Sequence, residues 1–161
     1  MAEYQTYYDS PRGPIRLVCS ETGVKEVSFV SETGHESTEQ PDLIQQLKAQ
    51  LKAYFEEKLQ EFDLPLDPDG TEFQKRVWAE LVKIPYGKTI SYDDMARRLG
   101  DPKVIRAAAS ANGKNPIGII IPCHRVIGKN GSLVGYAGGL PNKRYLLDLE
   151  NRVANGILEL F

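Results

Sequence analysis

Sulfur and imidazole are scarce in this chain. Its 161 residues hold two cysteines, Cys19 and Cys123, and two histidines, His35 and His124. Two cysteines make no disulfide framework. Zinc takes about four Cys, His or carboxylate donors, and these four residues stand at no familiar spacing, so no metal is expected. No stretch approaches the ~20 apolar residues of a membrane span, which leaves no membrane partner to expect. The first residues, MAEYQTYYDS, have neither the basic start nor the apolar run of an export signal. Free thiols without such a signal point to a reducing cytoplasm. Repeats and low-complexity tracts are missing as well. The length suits one domain, or a small lobe joined to a larger one.

Charge is present and unevenly placed. Residues 1–70 carry six basic and fourteen acidic side chains, a balance of −8, whereas residues 71–161 carry fourteen and eight, a balance of +6. A basic half is the footprint of an anionic partner, nucleic acid being the commonest. Attraction between the two halves is the plainer account, and charge alone does not choose.

The pattern along the chain is α+β. EYQTYYDS, PIRLVCS and VKEVSFV are β-branched and aromatic runs split by Pro/Gly turns, which predicts three strands. Residues 31–42 are polar and read as a loop. Leu43, Ile44, Leu47, Leu51, Tyr54 and Phe55 recur at helical spacing, and DLPLDPDG (63–70) reads as a linker. The remainder looks mainly helical. Thr71 and Gln74 form a capping-box signature ahead of an apolar face of Phe73, Val77, Trp78, Leu81 and Val82. Ser91 with Asp94 opens a second helix, which Gly100 ends. Asp101 caps a third, with Pro102 at its first position, running to Gly113. Two short helices joined by a Gly-Asp turn look like a helix-turn-helix. The predicted architecture is a small N-terminal β-sheet lobe with a helix (1–70, lobe and linker), then a mainly helical domain (71–161).

The helix PKVIRAAASANG carries small residues, Ala107 to Ala111, around one long side chain, Arg106. Tight helix packing explains such a stripe, and so does close approach to a DNA groove with Arg106 reaching inward. The stretch IIIPCHRVIG places Cys123 next to His124. A thiol attacks as thiolate and needs a base or positive field nearby. On an extended segment the two side chains would face opposite ways, leaving contact only through a water or a turn. Arg125 adds positive potential, and Glu150 is one choice to orient the imidazole. A buried, inert Cys123 stays equally open at this point. Cys19 falls in a strand pattern and reads as core, His35 as a solvated loop residue, and Trp78 as a core anchor. Tyr92 is a packing residue unless its helix borders a pocket. GYAGG (135–139) follows no strand-to-helix phosphate pattern, so no nucleotide loop is expected.

FQKRVW (73–78), IPYGKTISYDDMARRLG (84–100), NPIGIIIPCHRVIG (115–128) and GYAGGLPNKRYLLDLE (135–150) together resemble the O6-alkylguanine-DNA alkyltransferases, or methylated-DNA–protein-cysteine methyltransferases. The likeness runs from about Thr71 to Arg152 and is nearest to the short bacterial stand-alone form. It implies a C-terminal domain with a helix-turn-helix and an active-site cysteine. It also implies a monomer that needs no cofactor and acts on double-stranded DNA containing O6-alkylguanine, or O4-alkylthymine, after base flipping.

The same resemblance implies residue roles. Cys123 would accept the alkyl group irreversibly, so that each molecule reacts once. His124 would act through a water as its base, oriented by Glu150, and Asn115 would brace the turn. Tyr92 would help protonate guanine N3. The carbonyls of Cys123 and Val126 would accept from the guanine amino group, and the N–H of Ala137 would donate towards O6, with Tyr136 and Gly138 beside it. Arg106 would fill the gap left by the flipped nucleotide, with Ser91, Tyr92, Ala107 and Ala109 also at the DNA.

One departure stands out. The family usually reads Arg-Ala-Val-Gly where this chain has Arg106-Ala107-Ala108-Ala109. Alanine for a helix-interior glycine favours the helix by about 0.8–1 kcal/mol, and its methyl adds bulk towards the phosphate backbone. Zinc ligands found in some relatives' first lobes are not matched. Alkyltransferase-like lesion binders replace the reactive cysteine, which Cys123 does not fit. A transcriptional regulator would need longer polar side chains to read base edges than this alanine run offers. A cysteine hydrolase would turn over.

Overall fold

The computed structural model describes residues 2–156 and divides into two compact units, 1–69 and 70–161. In the first, β1 (Glu3–Ser10), β2 (Gly13–Ser20) and β3 (Val24–Phe29) form an antiparallel sheet in chain order. Ser10 pairs with Gly13 across a two-residue turn. Gly13 adopts φ 98°, a left-handed conformation that glycine enters without steric cost. Helix α1 (Asp42–Phe55) buries Ile44, Leu47, Leu51, Tyr54 and Phe55, the 3.6-residue stripe of its sequence, and Ile15, Leu17 and Val27 of the sheet are buried with them. Cys19 is core, and burial pushes its thiol up to about 11.

Two polar stretches of this unit are tied down. Ser37 N–H donates to Gln5 O (2.8 Å), and Thr6 Oγ1 donates to Glu36 (2.6 Å), so the acidic loop lies along β1. Residues 63–70, expected as a linker, bridge Val24 in parallel at Leu66. Val24 N–H donates to Pro65 O (2.8 Å) and Asp67 N–H to Val24 O (2.9 Å). Gly23 permits the approach, because a Cβ there would lie 2.8 Å from Pro65 O.

In the second unit, α2 (Glu72–Leu81) and α3 (Tyr92–Arg98) both begin with complete capping boxes, Thr71 with Gln74 and Ser91 with Asp94. The third predicted helix starts differently. Asp101 accepts from Lys103 N–H and Pro102–Val104 form a 3₁₀ turn, so α4 proper spans Ile105–Gly113. α3 and α4 are the predicted helix pair, and α5 (Leu140–Asn155) closes the unit. The reading of Val82 is corrected: it caps the end of α2 and is exposed. The residues after Gly70 also include a parallel pair that the helical pattern hid. β4 (Ile90–Ser91) pairs with β5 (Val126–Ile127), joining the start of α3 to the residues just after Cys123. No described helix is long and apolar enough to cross a membrane.

Candidate active site

Cys123 is delivered by a run of tight turns. Ile120 N–H closes on Gly118 O (2.8 Å) around Ile119, which sits at φ 70°. That is a strained region for a β-branched side chain. Cys123 N–H then closes on Ile121 O (2.7 Å) around Pro122 at φ −81°, ψ 62°, an inverse γ-turn. Asn115 braces this path. Its Nδ2 donates to Ile121 O (2.8 Å) and Ile117 O (3.3 Å), and its Oδ1 accepts from Ile117 N–H (2.9 Å). Cys123, His124 and Arg125 form a 3₁₀ turn, correcting the extended segment assumed from sequence.

All three side chains of that turn are buried. Burial pushes the Cys123 thiol up, against opposing pulls from Asn115, Lys143 and the N–H groups of Cys123 and His124. The resting residue is therefore a thiol, and its proton must leave before it can attack.

A carboxylate organises the neighbouring groups. His124 Nε2 meets Glu150 Oε2 at 2.7 Å, while Arg125 donates from Nε to Oε1 (2.7 Å) and from Nη2 to Oε2 (3.1 Å). Arg125 Nη1 also reaches Ile84 O (2.7 Å), and its guanidinium lies 5.6 Å from the Tyr86 ring centre. Glu150 is only 1 % exposed. Burial raises its carboxyl, but His124 and Arg125 outweigh that and hold it well below the carboxylate range. Because Glu150 accepts, Nε2 carries the hydrogen and Nδ1 is the basic atom. Nδ1 has no hydrogen-bond partner among the described residues. Burial lowers the His124 pKa, with Glu150 pulling the other way, so the ring is neutral at neutral pH and able to take a proton.

These directions fix a pH response. Both groups have folded pKa values below their unfolded ones, so the unfolded chain binds more protons on acidification. Stability is full above the ordinary imidazole value of 6.5, falls below it as His124 resists protonation, and falls further below 4.5 as Glu150 does. Urea midpoints should drop between pH 7.5 and 5, less so in His124→Gln; equal slopes would remove His124 from the account.

Around this core stand the groups proposed for substrate. Tyr92, first residue of α3, donates from its hydroxyl to Val134 O (3.3 Å), and burial followed by the charge of Cys123 raises its pKa. Val126 is buried, and its carbonyl already accepts from Lys143 Nζ (2.7 Å). The Cys123 carbonyl accepts from Val126 N–H. Tyr136 is half-buried, and its hydroxyl is raised well above its usual value by burial and then by Cys123. Ala137 is exposed in the following turn, and Gly138 O accepts from Asn142 Nδ2 (2.9 Å).

The structure thus gathers Cys123, His124, Glu150, Asn115, Tyr92, Val126 and Tyr136. The residues expected at DNA lie on helix surfaces. Arg106 and Ala107 are exposed on α4 with Ser110 and Gly113, whereas Ala109 is half-buried. Ala108 and Ala111 are buried, so only part of the small-residue run faces outward. Ser91 is half-buried and its oxygen accepts the Asp94 N–H (3.0 Å) as the cap of α3. Among the described residues no group of three His, Cys, Asp or Glu side chains is arranged to hold a metal ion.

Known proteins are similar to this chain over nearly all of its length. Residues 72–152 match the family described as 6-O-methylguanine DNA methyltransferase, DNA binding domain, and residues 4–68 match its ribonuclease-like domain. The chain belongs to the methylated-DNA–protein-cysteine methyltransferase family. A relative of that name from Methanosarcina acetivorans is 48% identical over 91% of this chain and 97% of its own. One from Mycobacterium bovis is 46% identical over 100% and 99%. Among solved structures, the Mycobacterium tuberculosis O6-methylguanine methyltransferase superposes with a TM-score of 0.85 at 43% identity, covering 98% of both chains. Mycobacterium tuberculosis OGT in complex with DNA gives 0.83 at 46% identity, with 92% of each covered.

Within this family member, sequence reasoning missed two residues, Asn112 and Lys143, and the tie of Arg125 to Glu150. Arg125 is a full partner of Glu150, and Asn112 reaches the Cys123 carbonyl. Lys143 is fully buried and donates to Val126 O, Val134 O (2.9 Å) and Gly135 O (3.2 Å). Burial brings Lys143 down to about 8, partly offset by Cys123. A signal for it existed: Lys143, Leu146, Leu147 and Glu150 share one helical face at spacings of three, four and seven.

Proposed function

We propose that this chain repairs O6-alkylguanine in duplex DNA by moving the alkyl group to its own Cys123. What supports the reading is a buried thiol in one turn with a neutral imidazole, whose far nitrogen is held by an ionised Glu150. The reaction is an in-line displacement. The Cys123 proton passes through a water to His124 Nδ1, the sulfur attacks the alkyl carbon, and a new S–C bond replaces the C–O6 bond. The electron pair of the broken bond stays on the guanine, which takes up a proton and leaves as guanine. The Tyr92 hydroxyl turns from Val134 O to donate to guanine N3, and Lys143 orients the Val126 carbonyl that accepts from the amino group.

A stacked base hides O6, so the nucleotide is extruded into the site, and a weakly paired lesion costs least to extrude. The exposed strip of Arg106, Ala107, Ser110 and Gly113 suits the minor groove, with Arg106 entering the vacated stack. O4-alkylthymine presents the same chemistry, an alkyl group on an exocyclic oxygen. A thioether has no hydrolysable bond, so each protein monomer reacts once. The cytoplasm keeps the thiol reduced.

Intact-mass measurement after mixing with a duplex carrying one O6-methylguanine should show a single added methyl, mapped to Cys123, and never more than one per protein. Folded protein with no mass change would replace this reading with lesion binding alone. Arg106→Ala should slow repair of duplex at least about tenfold more than reaction with free alkylguanine, since the wedge acts only on stacked DNA. Equal losses on both substrates would remove Arg106 from the flipping step.

A further inference from the structure

The last turn of α4 holds an amide that the reaction above leaves unused. Asn112 is 4 % exposed and shares the buried stripe of α4 with Ala108 and Ala111. Its Nδ2 donates to the Cys123 carbonyl at 3.5 Å, and the same amide faces the Tyr92 hydroxyl. Its Oδ1 is buried and has no hydrogen-bond partner among the described residues. The residue before it is fixed from the other side, because Trp78 Nε1 donates to Ala111 O (2.9 Å). A buried acceptor left unfilled is costly, and an apolar side chain would pack this position without that cost. What the amide offers in return is its contacts with the Cys123 carbonyl and the Tyr92 hydroxyl.

We propose that Asn112 is a positioning residue for alkyl transfer, tying the DNA-facing helix α4 to the Cys123 carbonyl and the Tyr92 hydroxyl. The Tyr92 hydroxyl faces guanine N3 in the reaction above, the Cys123 carbonyl is the second guanine acceptor that the family resemblance implies, and the inference rests on that reading. Arg106 and Asn112 lie on one nine-residue helix, so the element that meets DNA also sets the edge that receives the base. Docking of α4 and alignment of the base against Cys123 are then one event.

The test measures single-turnover methyl transfer from an O6-methylguanine duplex over a range of protein concentrations, together with labelling of Cys123 by iodoacetamide. Asn112→Leu should lower the saturated transfer rate at least about tenfold, with half-saturation and iodoacetamide labelling each moving less than about threefold. Asn112→Leu combined with Tyr92→Phe should be no slower than the slower single variant, because both act through one contact. Asn112→Ala, which fits the same space without strain, carries the same expectation should the leucine variant fail to fold. A saturated rate within about twofold of the parent, multiplicative effects in the double variant, or equal falls in all three readouts would overturn the inference. A parent protein that places no methyl on Cys123 would remove the alkyl-transfer reading itself, a result distinct from a parent that transfers alongside an equally fast variant.

Discussion

Glu150→Gln should lower the unfolding free energy by about 3–5 kcal/mol, because it strands a buried guanidinium. The carboxylate accepts two hydrogen bonds from Arg125 and one from His124 in a site closed to solvent. Glutamine keeps the shape but removes the charge, and its amide N–H₂ points a donor at other donors. Arg125 would retain Ile84 O, the face of Tyr86 and at most the single amide oxygen, with no counter-charge. Urea unfolding at pH 7.5 measures the loss. Adding Arg125→Met to the same chain should recover part of it, since removing both partners of a buried pair costs less than stranding one. A loss under about 1 kcal/mol, the range of exposed pairs, would show that Arg125 finds compensation elsewhere. The variant should also slow transfer by about 10²–10⁴-fold, the usual worth of a positioned base.

The second large effect is chemical. Cys123→Ser should abolish transfer, a fall of at least about 10⁴-fold, while DNA affinity stays within about twofold. A hydroxyl is far harder to deprotonate than a thiol, and a neutral imidazole beside it does not close that gap. The 3₁₀ turn and its Asn115 brace have no need of sulfur, so the fold and the exposed face of α4 should survive. Gel shift with lesion-bearing duplex and intact-mass measurement on the same sample separate the two properties. A serine variant that still takes up methyl would move the acceptor to Cys19, which is otherwise core.

Much of this was legible without coordinates. β-Branched and aromatic runs between Pro/Gly turns predicted the three strands, a 3.6-residue stripe predicted α1, and Thr71/Gln74 with Ser91/Asp94 marked two helix starts that proved complete capping boxes. What escaped had physical reasons. β4 and β5 are two residues each, too short for any periodicity to register. Alanine does not declare its face, so a run of them hid that Ala108 and Ala111 are buried while Ala107 is not. Val82 is apolar at the right spacing, but the helix ends there and exposes it. In the site, the motif named Cys123, His124 and Glu150, and their meeting is a tertiary fact that no spacing contains. The share of Glu150 that Arg125 holds was invisible for the same reason, and the 3₁₀ turn at Cys123 overrode the extended reading of IIIPCHRVIG.

A protein that reacts once and is finished is limited by stock, not by speed. On the proposed reading each molecule waits, intact, for its lesion, so the lifetime of the unreacted sulfur sets how much repair is held in reserve. Oxidants attack thiolates that solvent can reach. At Cys123 the side chain is 5 % exposed, and burial keeps it protonated. The same seclusion that obliges a base to act at the moment of transfer preserves the cysteine during the wait. Storage and reactivity are separated in time by the arrival of the damaged base.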